Sequence, residues 1–183
     1  MPHYKLQYFP LRGRAESIRL LLTYLGQEFI DEKISFEEWP KVKPTTPFGF
    51  LPVLTVDGEY QIAQTLAILR YLARKHGLEG STDEENAYID MYADQIQDAV
   101  VAILPYFISK VRGIGCPKTT WKEYVSSNIR NVTGPIFEKV LKESSSGFLV
   151  GSKVSWVDIY AAEFFHRLIN AEEEEGLFDT FPE

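Results

Sequence analysis

Polar and aromatic residues that could do chemistry fall at element ends through the first 65 residues. Tyr8 ends a short aromatic run, Tyr4 to Tyr8, just before the Phe9-Pro10 break. A phenol at a strand tip, beside a helix start, can donate a hydrogen bond to an anionic atom held there. Arg14 stands near the start of the next helix, where its guanidinium could polarise Tyr8 or meet a carboxylate. Trp39 and Lys43 are four apart, so a helical turn would bring an indole N–H and an ammonium to one carboxylate. In Phe50-Leu51-Pro52-Val53 a proline precedes a β-branched strand. A cis bond there would expose the N–H and C=O of Leu51 for strand-like pairing with a peptide; a trans proline would merely start the strand. Gln64-Thr65 stands at a helix start, where free N–H groups favour a carboxylate, or where Thr65 serves as a plain cap. Taken singly, each residue also has a purely structural reading: an ordinary tyrosine, a surface arginine, a half-buried tryptophan.

Alternating strands and helices must carry these groups. Tyr4 to Tyr8 reads as a strand, and Ile18, Leu21, Leu22 and Leu25 then recur at helical spacing until Gly26. Glu28 to Ile34 alternates as a second strand, which favours a parallel pair with a right-handed crossover. After an irregular stretch, Val53 to Val56 and Glu59 to Ile62 flank Asp57-Gly58, a strong hairpin signal. A helix from Thr65 to about His76 completes the pattern, and a short linker follows. Residues 1–77 therefore read as an α/β domain, β-α-β then β-β-α, and residues 83–183 as an all-α domain. In the latter, Ile89, Tyr92, Ile96, Val100, Ile103 and Phe107 keep one helical spacing, and Trp121, Val125, Ile129 and Val132 keep another. A kink or break is expected at Gly134-Pro135. Ser155-Trp156-Val157-Asp158 has the form of a capping box opening a further helix through Tyr160, Phe164 and Leu168.

The 183 residues are 45% hydrophobic, enough for a packed core, and carry a formal charge of −7, which argues against a nucleic-acid partner. No stretch approaches the ~18 apolar residues of a membrane span, and no secretory leader is evident, so a cytoplasmic protein is expected. One cysteine permits no internal disulfide and no Cys-x-x-Cys redox pair. That residue, Cys116, reads as a free loop thiol rather than a nucleophile, because no pKa-lowering partner stands near it in sequence. Glu172 to Glu175 reads as a solvated acidic run.

The order of the candidate residues carries a resemblance. Tyr4-Lys5-Leu6-Gln7-Tyr8-Phe9 and Arg12-Gly13-Arg14-Ala15-Glu16 resemble the opening of sigma-class glutathione transferases, the group that includes haematopoietic prostaglandin D synthase. Glu38-Trp39-Pro40 with Lys43, Thr46-Pro47-Phe48-Gly49, Leu51-Pro52-Val53-Leu54 and Gln64-Thr65-Leu66-Ala67-Ile68 continue it, as do Phe148-Leu149-Val150-Gly151 and the Ser155 to Asp158 box.

The resemblance implies a thioredoxin-like domain, a helical domain and a homodimer. It implies glutathione as co-substrate and no metal. The residue matching Tyr8 donates to the glutathione thiolate, with Arg14 beside it; Trp39 and Lys43 hold the glycine end. Leu51 pairs through its backbone before cis-Pro52, Gln64 and Thr65 hold the γ-glutamyl end, and Asp98 reaches its amine across the dimer interface. Phe9, Leu11, Gly13, Val100, Tyr106, Tyr160 and Phe164 would line the pocket for an apolar electrophile, although Val100 and Phe164 also fit an ordinary bundle core. Members of the family run on through about one or two further helices past the position of Glu183, a tail that roofs this pocket. The activity expected is conjugation of glutathione to apolar electrophiles, as in detoxification. The resemblance also admits a prostaglandin D isomerase, or a non-catalytic protein like the cephalopod lens crystallins. The tryptophan that prostaglandin synthases carry near Tyr106 is absent.

Overall fold

The computed structural model describes residues 2–111, 113 and 118–169. Cys116 and the Glu172 to Glu175 run lie outside the described residues. The chain divides into two compact units, Met1–Glu79 and Gly80–Glu183.

The first unit is built on a four-stranded sheet of β1 (Tyr4–Tyr8), β2 (Phe29–Lys33), β3 (Val53–Val56) and β4 (Tyr60–Ala63), in the order β2-β1-β3-β4. β1 pairs parallel with β2, Tyr4 opposite Phe29 and Tyr8 opposite Lys33, and antiparallel with β3, Leu6 opposite Leu54. The crossover between the parallel strands is a 3-10 turn (Gly13–Ala15) that runs into α1 (Glu16–Tyr24). α1 packs against α3 (Thr65–His76), and Leu6, Ile18, Leu21, Leu54, Ile68, Leu69 and Leu72 are fully buried around them. Burial of such side chains contributes roughly 1.5–3 kcal/mol each. A short helix α2 (Trp39–Val42) and a 3-10 turn (Lys43–Thr45) fill the stretch before β3.

The expected hairpin forms, with Asp57 (φ 54°) and Gly58 (φ 71°) both left-handed as a type I′ turn requires. The amide of Glu59 closes that turn on Val56 O at 3.0 Å, so Glu59 belongs to the turn and β4 begins at Tyr60, one residue later than the alternation suggests.

The second unit is helical: α4 (Asp83–Val111), α5 (Lys118–Tyr124), a π-helical stretch (Val125–Thr133), α6 (Gly134–Glu143) and α7 (Trp156–Ile169). No break occurs at Gly134-Pro135; the helical path continues there with altered bonding. The amide of Gly134 reaches back five residues to Ile129 O. A proline offers no N–H to the ladder, and a shift of register ahead of it absorbs the missing donor. The same shift explains why Val132 is 42% exposed although it lies on the Trp121-Val125-Ile129 spacing. A π-helix has more residues per turn, so a step of three no longer returns to the buried face.

Half of the capping box forms, around the carboxylate of Asp158, whose own amide bonds to the Ser155 carbonyl at 3.2 Å rather than to the hydroxyl. Oδ2 accepts from both the amide and the hydroxyl of Ser155 at 2.8 Å, and Oδ1 accepts from the amide of Leu149 at 2.8 Å. One side chain thus ties the α6–α7 loop to the first turn of α7.

Candidate active site

Pairing β1 between β2 and β3 buries its end, and Tyr8 is only 7% exposed. The loop after it doubles back, and the backbone amide of Arg14 donates to the phenol oxygen at 3.0 Å. Gly13 makes this approach possible. It holds φ +45°, and a Cβ there would lie 2.5 Å from Tyr8 Oη and 2.6 Å from Leu11 Cδ1. The phenol therefore accepts a bond from the protein and keeps its own proton to donate. Accepting a bond also strengthens an O–H as a donor. The contact on Tyr8 comes from the peptide of Arg14, which leaves the guanidinium for the other expected use, a carboxylate.

A second set gathers at the start of α3. A cavity of about 170 Å³ is lined by Arg14, Phe50, Leu51, Pro52, Ala63, Gln64 and Thr65. The Leu51–Pro52 peptide is cis, and Gln64 adopts φ 74°, a left-handed value that costs a non-glycine residue on the order of 1–3 kcal/mol. The Nε of Arg14 is buried with no hydrogen-bond partner among the described residues. Such a donor suits an anionic ligand group. Thr65 is the first residue of α3, and its side chain caps nothing; the hydroxyl donates to the carbonyl of Arg14 at 3.0 Å. The expected N-cap use of Thr65 is thus replaced by a tie across 51 residues, because Gln64 takes the N-cap position and the Thr65 hydroxyl meets the β1–α1 loop. Complete ligand pockets measure roughly 300–1,000 Å³, so this cavity suits one end of a tripeptide.

Trp39 and Lys43 do share a helical segment, with the amide of Lys43 bonded to Trp39 O. The stem of Lys43 runs past Gly49, where a Cβ would lie 3.3 Å from its Cε. Phe9 stacks on Phe36 with ring centroids 4.7 Å apart and meets Trp39 edge-on at 5.5 Å. The α2 entry is held by Glu38, whose carboxylate accepts from the hydroxyl and amide of Ser35; these bonds keep its pKa below the ordinary carboxylate value.

The remaining predicted residues belong to the helical unit. Val100, Tyr106, Tyr160 and Phe164 are all buried. Tyr160 donates to Gln97 Oε1 at 2.8 Å, Tyr106 packs on Trp121 at 4.9 Å, and Phe164 on Phe165 at 5.2 Å. Asp98 is exposed on α4. A more open hollow of about 300 Å³, lined by Tyr92, Glu143, Ser144 and their neighbours, contains none of the predicted residues. Ala63 of the first cavity and Phe36 beside Phe9 were not marked in the sequence, since neither carries a polar group or a spacing that singles it out. Among the described residues, no three His, Cys, Asp or Glu side chains cluster to hold a metal, and no helix is long and apolar enough to cross a membrane.

Two family models match this chain: the glutathione S-transferase N-terminal domain over residues 4–74 and the glutathione S-transferase C-terminal domain over residues 117–183. The chain belongs to the glutathione S-transferase family. This transferase is 41% identical to the probable glutathione S-transferase 7 of Caenorhabditis elegans over 100% of its own length and 87% of the relative's. Its fold matches a Nu-class transferase from Haemonchus contortus with a TM-score of 0.82 and 39% identity, covering 100% of this chain and 87% of the other. It matches Na-GST-3 of the hookworm Necator americanus, described as monomeric, with a TM-score of 0.87 and 38% identity over 98% and 86% of the two chains. The thioredoxin-like and helical units are those of the family, glutathione is the co-substrate, and the enzyme is a glutathione transferase.

Proposed function

We propose that Tyr8 stabilises the glutathione thiolate and that this transferase joins it to apolar electrophiles. The supporting observation is the Tyr8 oxygen, which receives the Arg14 amide and retains its own proton for a ligand atom. A free thiol has a pKa near ~8.5, so one good donor in a partly dry site raises the reactive fraction at neutral pH. The thiol proton passes to water, the sulfur lone pair forms the C–S bond, and the leaving group departs with the electrons of the broken bond.

The ligand is placed by the rest of the site. Gln64, Thr65 and Arg14 take the γ-glutamyl carboxylate at the start of α3, the backbone of Leu51 beside Pro52 takes the central amide, and Trp39 with Lys43 takes the glycine end. Residues 1–77 are the glutathione domain in this reading, and residues 83–183 the helical domain. Phe9, Leu11 and Gly13 beside Tyr8 make an apolar acceptor fitting.

A homodimer with Asp98 reaching the other subunit's ligand is part of the proposal. The outer face of α4 supports it with exposed Tyr88, Met91, Val101 and Ile108. The monomeric hookworm relative is the counter-example, and sedimentation over a range of concentrations decides between them. Of the two class placements, the sigma-like one rests on motifs from Tyr4 to Asp158, most specific in the first 80 residues. The Nu-class one rests on likeness over the full chain and has the broader support. A cytoplasmic role in detoxification follows from the same reading.

Calorimetry with glutathione and turnover of an aryl halide test the proposal. Binding and conjugation are expected in the native chain, with binding kept and conjugation mostly lost in Tyr8→Phe. Full turnover in that variant overturns the role given to Tyr8.

A further inference from the structure

Arg19 is absent from the chemistry above, yet its side chain is only 14% exposed and is bonded on every side but one. It projects from α1. Its Nε donates to the Asp31 carboxylate of β2, lying 3.1 Å from each oxygen. Its Nη1 lies 2.9 Å from Glu16 Oε2, 3.2 Å from Leu11 O and 3.3 Å from Arg12 O. The last two carbonyls belong to the loop that delivers Gly13 and the Arg14 amide to the phenol of Tyr8. An ordinary surface ion pair has no reason to spend donors on two consecutive loop carbonyls. A guanidinium anchored by two carboxylates holds that loop from behind, through charge-assisted bonds that are shorter and stronger than neutral ones.

We propose that Arg19 is a positioning residue for the transfer reaction: it fixes the Leu11–Arg14 loop so that the Arg14 amide stays on the Tyr8 oxygen. The inference rests on the role proposed for Tyr8. A loosened loop lets the amide drift, the phenol becomes a poorer donor, and the thiolate of bound glutathione becomes harder to form. Glutathione binding at the α3 start is left nearly intact. A fold-stabilising role alone would lower the melting temperature without moving the titration of the bound thiol.

The test uses the full chain with glutathione bound. Arg19→Lys keeps the charge but cannot span Asp31 and both carbonyls with a point-like ammonium. Asp31→Asn releases the other end of the clamp. The ultraviolet absorbance of the bound thiolate is followed against pH, together with kcat and KM. Arg19→Lys is expected to raise the thiol midpoint by about half a unit to one unit. It should lower kcat by up to about three- to tenfold at neutral pH, the change in thiolate fraction that such a shift allows, with KM for glutathione changed less than about threefold. Asp31→Asn should move the same way by less. In a Tyr8→Phe background Arg19→Lys should add nothing, because its route runs through the phenol. Should Tyr8→Phe move the midpoint while Arg19→Lys and Asp31→Asn do not, the clamp is refuted and the Tyr8 role stands. Should Tyr8→Phe itself leave the midpoint in place, the Tyr8 reading fails first. An equal effect of Arg19→Lys with and without Tyr8 overturns the route. If Arg19→Lys does not fold, Asp31→Asn decides alone, and an unmoved midpoint there refutes the inference.

Discussion

The amide of Arg14 and the phenol oxygen of Tyr8 stand 3.0 Å apart, six residues along a loop that folds back on its own strand. The arrangement makes the backbone the partner of the reactive side chain. A backbone donor cannot rotate away, and its position is set by everything that sets the loop: Gly13 in front, the Thr65 hydroxyl on the Arg14 carbonyl, and Arg19 behind.

Removing the phenol hydroxyl tests the centre of this arrangement. Tyr8→Phe is expected to reduce kcat about 10²-fold, on the order of 2.7 kcal/mol, the loss seen when one donor to a developing anion is removed. KM for glutathione should change little. Steady-state kinetics with an aryl halide checks both.

Gly13→Ala should be costly twice over. The added Cβ would lie 2.5 Å from Tyr8 Oη, and alanine would have to hold φ +45°. Strain at such a position is on the order of 1–3 kcal/mol before the clash is counted. At about 2–4 °C per kcal/mol for a chain of this size, a drop of several degrees in melting temperature is expected, with loss of turnover at temperatures where the variant is still folded.

Thr65→Val removes the tie between the α3 start and the β1–α1 loop while keeping the shape of the side chain. The part-buried Arg14 carbonyl loses its donor, worth about 1 kcal/mol of stability. Affinity for glutathione should fall as well, whereas Thr65→Ser should keep both. Calorimetric titration and thermal melts distinguish the variants.

His76 gives a pH dependence separate from catalysis. Burial disfavours its cation and Lys75 repels it, so its pKa sits below the ordinary 6.5; its Nε2 lies 2.9 Å from Tyr4 Oη. The unfolded chain therefore takes up the proton first as pH falls. The stability held by the neutral ring is complete above 6.5 and is lost as pH drops from there through the folded value. Denaturation midpoints at about pH 7.5 and about pH 5.5 should differ less in His76→Gln than in the native chain, and an NMR titration of His76 should give a midpoint below 6.5.

Much of this architecture was legible in the residues themselves. The aromatic run Tyr4 to Tyr8 marks a strand, and the period-three-or-four spacing at Ile18 to Leu25 states which helix face must be buried. Asp57-Gly58 states where the chain can turn with positive φ. The four-residue interval from Trp39 to Lys43 required only that the segment be helical, and it is. These are local properties, set by sterics and by which side of an element meets water.

The tertiary structure alone decided what each polar group bonds to. Nothing in the local sequence says that the Thr65 hydroxyl leaves its own helix for a carbonyl in another loop, that Arg14 serves Tyr8 through its peptide, or that Arg19 clasps Leu11 and Arg12. Val100 and Phe164, which the sequence places in a bundle core as readily as in a pocket wall, are both buried in the helical unit. Hydrogen bonds depend on distances of tenths of an ångström between segments tens of residues apart. Those distances exist only once β1 is seated between β2 and β3 and α3 has come to rest against α1.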